Sequence, residues 1–552
     1  MTVAHLLGLT LTAVAVAALA RRLGWQAPLV LVLAGCAVSF VPGVPTFDVN
    51  GHGHLLLGIV LPPLLYSAAL SVSYADFRAL LRPIVQLGVG LVVATAAAVA
   101  LVAHLVVPGL PLPAALVLGA VVSPPDAVAA SAIGRRLGLP RQVATLLSGE
   151  SLINDAAALT LYKVALAAVF GVGGATFGLA GRNIAATFGL AVVAGVAVGL
   201  LFGVVVHAVR LRLGDPVVEA VLGLTVPFAA YLCAEQLGGS GVLAVVAAGL
   251  YLGRRSPEAG YASRLQELPL WSSLDLLLEA VVFALIGLQL RHVVASVDVD
   301  QRAGWTLLGA ALAVLATTLA VRPLFVVLVE TLRRVPRPWT RHAARPTWLN
   351  AREQAVVSWA GMRGVVTLAA AAAIPASVNG TAVPDRAVLQ FLAFSVTIGT
   401  LLLQGVSLPL VIRLLGVRDA AQRRRDAEAE LRLQEQTTAA ALARTEEVLG
   451  TMTPRLGEER AAAIAERVRG PLLARVQAMT QAVRAEEQEE AAHGRHRGES
   501  FSRLRQEVIA VQRRVLMDER DKGNLDDEVM RAVLQELDYE EAAVSHSWVE
   551  RL

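Results

Sequence analysis

Runs of Ala, Leu and Val, separated by short polar or Gly- and Pro-containing breaks, fill the first 415 positions of this chain. A helix needs about 20 apolar residues to cross a bilayer. Thirteen runs qualify as candidate spans: 3–20, 27–41, 55–72, 84–107, 112–133, 143–170, 184–209, 217–237, 241–253, 270–290, 305–329, 355–374 and 387–415. The pattern predicts an all-α polytopic membrane protein of about 13 transmembrane helices, occupying residues 1–415. Beyond that point Arg423-Arg424-Arg425 opens a charged, Ala-rich stretch, and 416–552 reads as a helical cytoplasmic tail. Breaks are expected there at Thr453-Pro454, Gly470-Pro471 and His493-Gly494. Leu504, Val508, Val511, Val515 and Leu516 recur at helical spacing, an apolar stripe suited to self-association or to docking on the membrane domain.

Composition supports this division. Of 552 residues, 55% are hydrophobic and only 17% charged, and the mean hydropathy is +0.60, which excludes an ordinary soluble domain. The net charge of +4 gains meaning from its distribution among loops, and no nucleic-acid partner is expected. Basic clusters alternate: Arg21/Arg22, Arg78/Arg82, Arg135/Arg136/Arg141, Arg210/Arg212, Arg254/Arg255/Arg264 and the arginines of 333–352. The intervening loops carry only Arg182, Arg291, Arg302 and Arg386. The positive-inside rule therefore puts the N-terminus outside and the C-terminus in the cytoplasm, as an odd number of spans requires. Residues 3–20 lack a preceding basic region, so they read as a first span and not as a signal peptide. Cys36 and Cys233 each sit in an apolar run and read as small buried hydrophobes. His104 and His207 stand near span ends without a ligand spacing and read as structural.

Within the sixth span, Ser148-Gly149-Glu150-Ser151-Leu152-Ile153-Asn154-Asp155 brings two carboxylates and an amide into an apolar stretch. Ionisable groups at bilayer depth are functional-site candidates by default. Glu150 with Asn154, and Ser151 with Asp155, are four residues apart and share adjacent helix faces. An aspartate beside a hydroxyl and an amide can exchange a proton for a small dehydrated cation, since hard cations prefer oxygen ligands. In the fifth span, Ser123-Pro124-Pro125-Asp126 puts consecutive prolines where a helix cannot continue, releasing carbonyls beside Asp126. Broken helices at membrane depth line cavities, and in transporters their ends form ion sites. Pro62-Pro63 in the third span marks a weaker distortion.

The twelfth span carries Gly361-Met362-Arg363-Gly364. Arg363 cannot lose its proton and needs an anion; Glu150 is the expected partner, which leaves Asp155 as the carboxylate free to exchange. Glu279 in the tenth span is a further buried carboxylate, with Arg322 as its expected structural partner. If spans one to six and eight to thirteen are repeats, the interrupted helices 5 and 12 occupy corresponding positions, the pattern of an inverted-repeat transporter.

These elements together resemble the monovalent cation/proton antiporter family, in its bacterial sodium/proton exchanger branch. The resemblance rests on Pro62-Pro63, Ser123-Pro124-Pro125-Asp126, Gly149-Glu150-Ser151 with Asn154-Asp155, residues 283–287 and Gly361-Met362-Arg363-Gly364, in family order across the membrane region. It implies that Asp155 carries the cation or proton, helped by Asn154, Ser151, Asp126 and backbone at Pro125, with Glu150 held by Arg363. It also implies a homodimer with an elevator-like moving core. Animal exchangers have Thr-Asp-Pro where this chain has Pro125-Asp126-Ala127, so that threonine hydroxyl is missing here.

The expected activity is secondary transport across the bacterial inner membrane. A monovalent cation, Na+ first and Li+ or K+ as alternatives, exchanges for H+ by alternating access, with no cofactor. One free carboxylate beside a neutral Asn154 predicts electroneutral one-for-one exchange. A cation channel would need a continuous pore with rings of carbonyls or charges. An intramembrane enzyme would need a nucleophile with its base or a metal set, and neither His-Glu-x-x-His nor a base for Ser148 or Ser151 is present.

Overall fold

The computed structural model describes residues 3–42, 53–126, 134, 137–169, 177–296, 304–334, 349–378, 381–417 and 420–470, with short pieces at 473, 477, 511–516, 533–534 and 537. Two compact units divide the chain, Met1–Arg418 and Asp419–Leu552.

The first unit is built from helices. α1 (Val3–Arg22), α2 (Ala27–Ser39), α3 (Gly53–Ser71) and the short α4 (Tyr74–Ala79) lead into α5 (Leu81–Val106). α6 (Leu112–Val122) stops early, and α7 (Arg141–Val169), α8 (Phe177–Leu213), α9 (Pro216–Gln236), α10 (Gly241–Arg255) and α11 (Tyr261–Leu288) follow. α12 (Leu290–Ser296), α13 (Gly304–Arg334), α14 (Ala351–Trp359), α15 (Val365–Ala372) and α16 (Arg386–Leu415) complete it. Ser377–Val378 and Thr381–Ala382 pair as a two-residue antiparallel ladder in the loop before α16. Seven helices among the described residues are long and apolar enough to cross a membrane, and three shorter ones, Ala27–Ser39, Gly58–Ser71 and Leu112–Val122, are equally apolar.

Each apolar run read from the sequence falls on helix, with two interruptions where breaks were expected. α6 ends at Val122, and residues 123–126 are irregular; the rest of that run, 127–133, lies outside the described residues. α14 ends at Trp359 and α15 begins at Val365, leaving 360–364 unwound. The pair Pro62-Pro63 behaves differently, for α3 continues through it. Two π-helical turns interrupt otherwise regular helices, Gln86–Leu91 in α5 and Leu401–Gly405 in α16. Such turns concentrate where a helix is re-aimed beside a site. The first packs against α7 at Ile153 and Asn154.

The interior is assembled from Ala, Val and Leu. Tyr66 of α3 is fully buried and stacks at a tilt on Trp271 of α11, ring centroids 5.1 Å apart. Cys36 and Cys233 are both unpaired and partly buried. His104 Nδ1 donates to the Leu110 carbonyl at 2.7 Å, closing the α5–α6 turn. His207 pairs with Glu258 at 3.0 Å at the ends of α8 and α10.

In the second unit α17 (Ala420–Leu456) continues past Pro454 and ends one turn later, at Gly457, whose φ of +82° favours glycine. The break expected at Thr453-Pro454 is thus displaced to the residue able to turn the chain. Residues 458–470 are again helical, so the helix reaches Gly470; Pro471 and the pair His493-Gly494 lie outside the described residues. So do Leu504 and Val508; Val511 and Val515 lie on a helical piece, and both are exposed.

Candidate functional site

α7 carries the polar stripe into the core. Glu150, Asn154 and Asp155 are each at most 5% exposed, in a helix otherwise lined there by Leu146, Leu147, Leu152 and Ala156–Ala158. Against this helix the two interrupted segments cross. The Asp126 backbone N–H donates to the Met362 carbonyl at 2.6 Å, so the two unwound stretches satisfy each other where neither has a helical partner. The Asn154 side chain reaches in from α7, its Nδ2 donating to the Pro125 carbonyl at 2.9 Å.

Gly364, the residue that precedes α15, lies directly against the Asp126 side chain. A Cβ at this position would overlap the carboxylate, so only glycine lets the two segments approach this closely. The contact also sets the Asp126 carboxylate at the amino-terminal end of α15, where the helix dipole favours negative charge.

Glu150 is held by Arg322 of α13, not by Arg363. Arg322 donates through Nη1 and Nη2 to Oε1 and Oε2 at 2.6 and 2.8 Å, and through Nε to the Val357 carbonyl at 2.8 Å. Both side chains are 2% exposed. This corrects two expectations together, because the Arg322 guanidinium assigned to Glu279 is spent on Glu150 and α14. The physical reason lies in what surrounds Arg363. Its Nε donates to the Val122 carbonyl at 2.7 Å, its Nη1 to the Gly361 carbonyl, and its own N–H to Thr400 Oγ1 at 3.0 Å. Val122 is the last residue of α6, where helix carbonyls lack partners and the dipole is negative. Arg363 thus fills the gap that unwinding opens, and carbonyl dipoles supply the negative potential that a carboxylate would otherwise provide.

A cavity of about 60 Å³ opens at the crossing, lined by Pro124, Pro125, Asp126, Ser151, Asp155, Glu279 and Thr367 among apolar neighbours from α3 and α11. It brings together four of the residues singled out in the sequence, Asp155, Ser151, Asp126 and Pro125. Asn154 stands beside them, bonded to Pro125. Glu279, expected in a structural pair with Arg322, lines this same cavity. Two buried oxygens here have no hydrogen-bond partner, Asn154 Oδ1 and Thr367 Oγ1.

Further polar pairs escaped the sequence reading. Asp275, one turn before Glu279 on α11, accepts from Ser67 Oγ at 2.8 Å; the i, i+4 spacing of two acids in an apolar helix was the available signal. Lys163 of α7 pairs with Glu235 of α9 at 2.6 Å, and Arg210 with Glu267 at 3.2 Å.

A helical membrane domain in which two interrupted segments cross beside a buried carboxylate, at a small cavity, defines a secondary transporter. The family described as sodium/hydrogen exchanger, transmembrane, matches residues 9–414. The chain belongs to the sodium/hydrogen exchanger family. It is 38% identical over 393 residues to an uncharacterised Na+/H+ exchanger of Mycobacterium tuberculosis, covering 70% of this chain and 69% of the relative. To an uncharacterised Na+/H+ exchanger of Escherichia coli it is 32% identical, covering 73% of this chain and 74% of that protein. Its fold is similar to that of the sodium proton antiporter MjNhaP1 of Methanocaldococcus jannaschii, with a TM-score of 0.58 at 20% identity, over 75% of this chain and 98% of the other.

Proposed function

We propose that this protein exchanges Na+ for H+ across the bacterial plasma membrane by alternating access, with Asp155 as the group that binds either ion. The observation that carries this is the unequal compensation of three neighbouring carboxylates. Glu150 is locked to Arg322 by two charge-assisted hydrogen bonds. Asp126 lies against Gly364 at the start of α15, where the helix dipole offsets part of its charge. Asp155 faces the cavity with neither device and shares it with Asp126. A carboxylate buried in such a cavity favours capture of one positive charge, and a proton or a dehydrated monovalent cation meets the need equally.

Ser151 and the Asp126 carboxylate add oxygen ligands, and Asn154 holds the Pro125 carbonyl in register with them. The ligand set suits Na+, with Li+ and K+ as further candidates. Because Asn154 is neutral, one charge travels in each direction and exchange is electroneutral. An N-terminus outside, a cytoplasmic tail, and a homodimer that anchors a moving core complete the reading.

The test is cation-dependent dequenching of a pH dye in everted vesicles from an antiporter-deficient strain, with Na+, Li+ and K+ compared across pH. Cation-coupled, saturable proton movement supports the reading; absence of any such movement in vesicles containing folded protein overturns it.

A further inference from the structure

Residue 125 is a proline, so the α6 side of the cavity offers backbone carbonyl but no hydroxyl at that position, and the Pro125 carbonyl already accepts from Asn154. The facing wall is the first turn of α15, where Gly364, Val365, Val366 and Thr367 all border the cavity. Thr367 is 1% exposed, and its Oγ1 has no hydrogen-bond partner. The threonines at 317, 318, 397 and 400 bond back to a carbonyl three or four residues earlier in their own helices. Thr367, in the first turn of its helix, makes no such bond.

A buried hydroxyl left unpaired carries a substantial desolvation penalty, and a hydroxyl oxygen is a good ligand for a hard cation. Thr367 follows Gly364 by three residues, hence about one turn along α15 from the point of contact with Asp126. It therefore borders the same space as Asp126, Ser151 and Asp155 but from the second interrupted helix.

We propose that Thr367 Oγ1 is a ligand for the transported monovalent cation, so that both interrupted segments and α7 each contribute side-chain oxygen to one ion. This rests on the antiport reading above. A site closed by ligands from three elements discriminates by cavity size, since each oxygen must reach the ion at once. Removing the α15 oxygen therefore weakens binding and broadens the choice among Li+, Na+ and K+, and leaves proton binding at Asp155 in place.

The test compares wild type, Thr367→Val and Thr367→Ser in proteoliposomes, with folding checked by size exclusion and thermal melting. Thr367→Val preserves shape and removes the hydroxyl; Thr367→Ser keeps the hydroxyl and removes the methyl. The expected result is an apparent KM for Na+ raised roughly tenfold by Thr367→Val, with a smaller change in maximal rate and a flattened Li+/Na+/K+ preference. Thr367→Ser retains the wild-type preference and KM. If Thr367→Val leaves both KM and cation preference unchanged, the assignment is wrong. Should Thr367→Val not fold, Thr367→Ser decides: a changed cation preference with the hydroxyl kept overturns the assignment. Absence of cation-coupled proton movement in the wild type instead sinks the antiport reading, so the two failures are distinct.

Discussion

Arg322 and Glu150 lie 172 residues apart in the chain, yet they form a two-pronged ion pair with both side chains 2% exposed. Taking two charges out of water is expensive, and the pair repays this only with complete hydrogen bonding. Here the third donor, Nε, is satisfied by Val357. The pair ties α7, which bears the site, to α13 and α14.

Removing one partner leaves the other charge buried and alone. Arg322→Met is expected to destabilise the protein by about 3–5 kcal/mol, and Arg322→Lys to recover little of it, since a point charge cannot grip both oxygens. The double variant Arg322→Met/Glu150→Gln removes both charges and is expected to melt well above Arg322→Met alone. Thermal unfolding in detergent distinguishes the three; equal melting of single and double variants contradicts the pairing.

Asp155→Asn replaces the cavity-facing carboxylate with a neutral group of the same shape. Insertion and folding are expected to persist, because no structural ion pair is lost, while cation/proton exchange vanishes. A pH-dye signal responding to Na+ in this variant, at wild-type amplitude, would remove Asp155 from the role assigned to it.

The helices, both breaks and the polar stripe of α7 are legible in the chain because each depends on local patterns: apolar length, proline pairs and i, i+4 spacing. The choice of arginine for Glu150 is not local. Arg322 and Arg363 are both buried cations, and sequence alone does not say that the end of α6 supplies carbonyls to one of them. Charge compensation by backbone dipoles has no residue signature. Nor does a helix pattern say that Glu279 borders the cavity. The tail helix runs through Pro454, which removes one i→i−4 bond and can kink a helix without ending it, and stops at Gly457, whose positive φ turns the chain out of the helix.

Gly364→Ala tests the approach of the two unwound segments. The added methyl overlaps Asp126 in the present geometry, so the crossing must open or the carboxylate must move. Exchange is expected to fall by at least an order of magnitude in a protein that still inserts, because misplacement by about 1 Å at a reacting centre carries losses near 10²-fold. Wild-type exchange rates in this variant would mean that the segments separate freely during the cycle.

Asn154 joins two consequences in one side chain. Its Nδ2 supports the Pro125 carbonyl, and in the proposed mechanism its neutrality leaves Asp155 alone to change charge when a cation replaces a proton. One charge in and one charge out carries no current, so a Na+ concentration jump on protein-loaded supported membranes is expected to give proton movement without a sustained electrical signal. Asn154→Asp disturbs both features: an ionised carboxylate cannot donate to Pro125, and a second acid beside Asp155 can carry its own proton. That variant is expected to exchange slowly, and whatever exchange survives is expected to generate current. A wild-type current scaling with the Na+ step would show that a further group shares the charge, with Glu279, on the same cavity, the first to substitute.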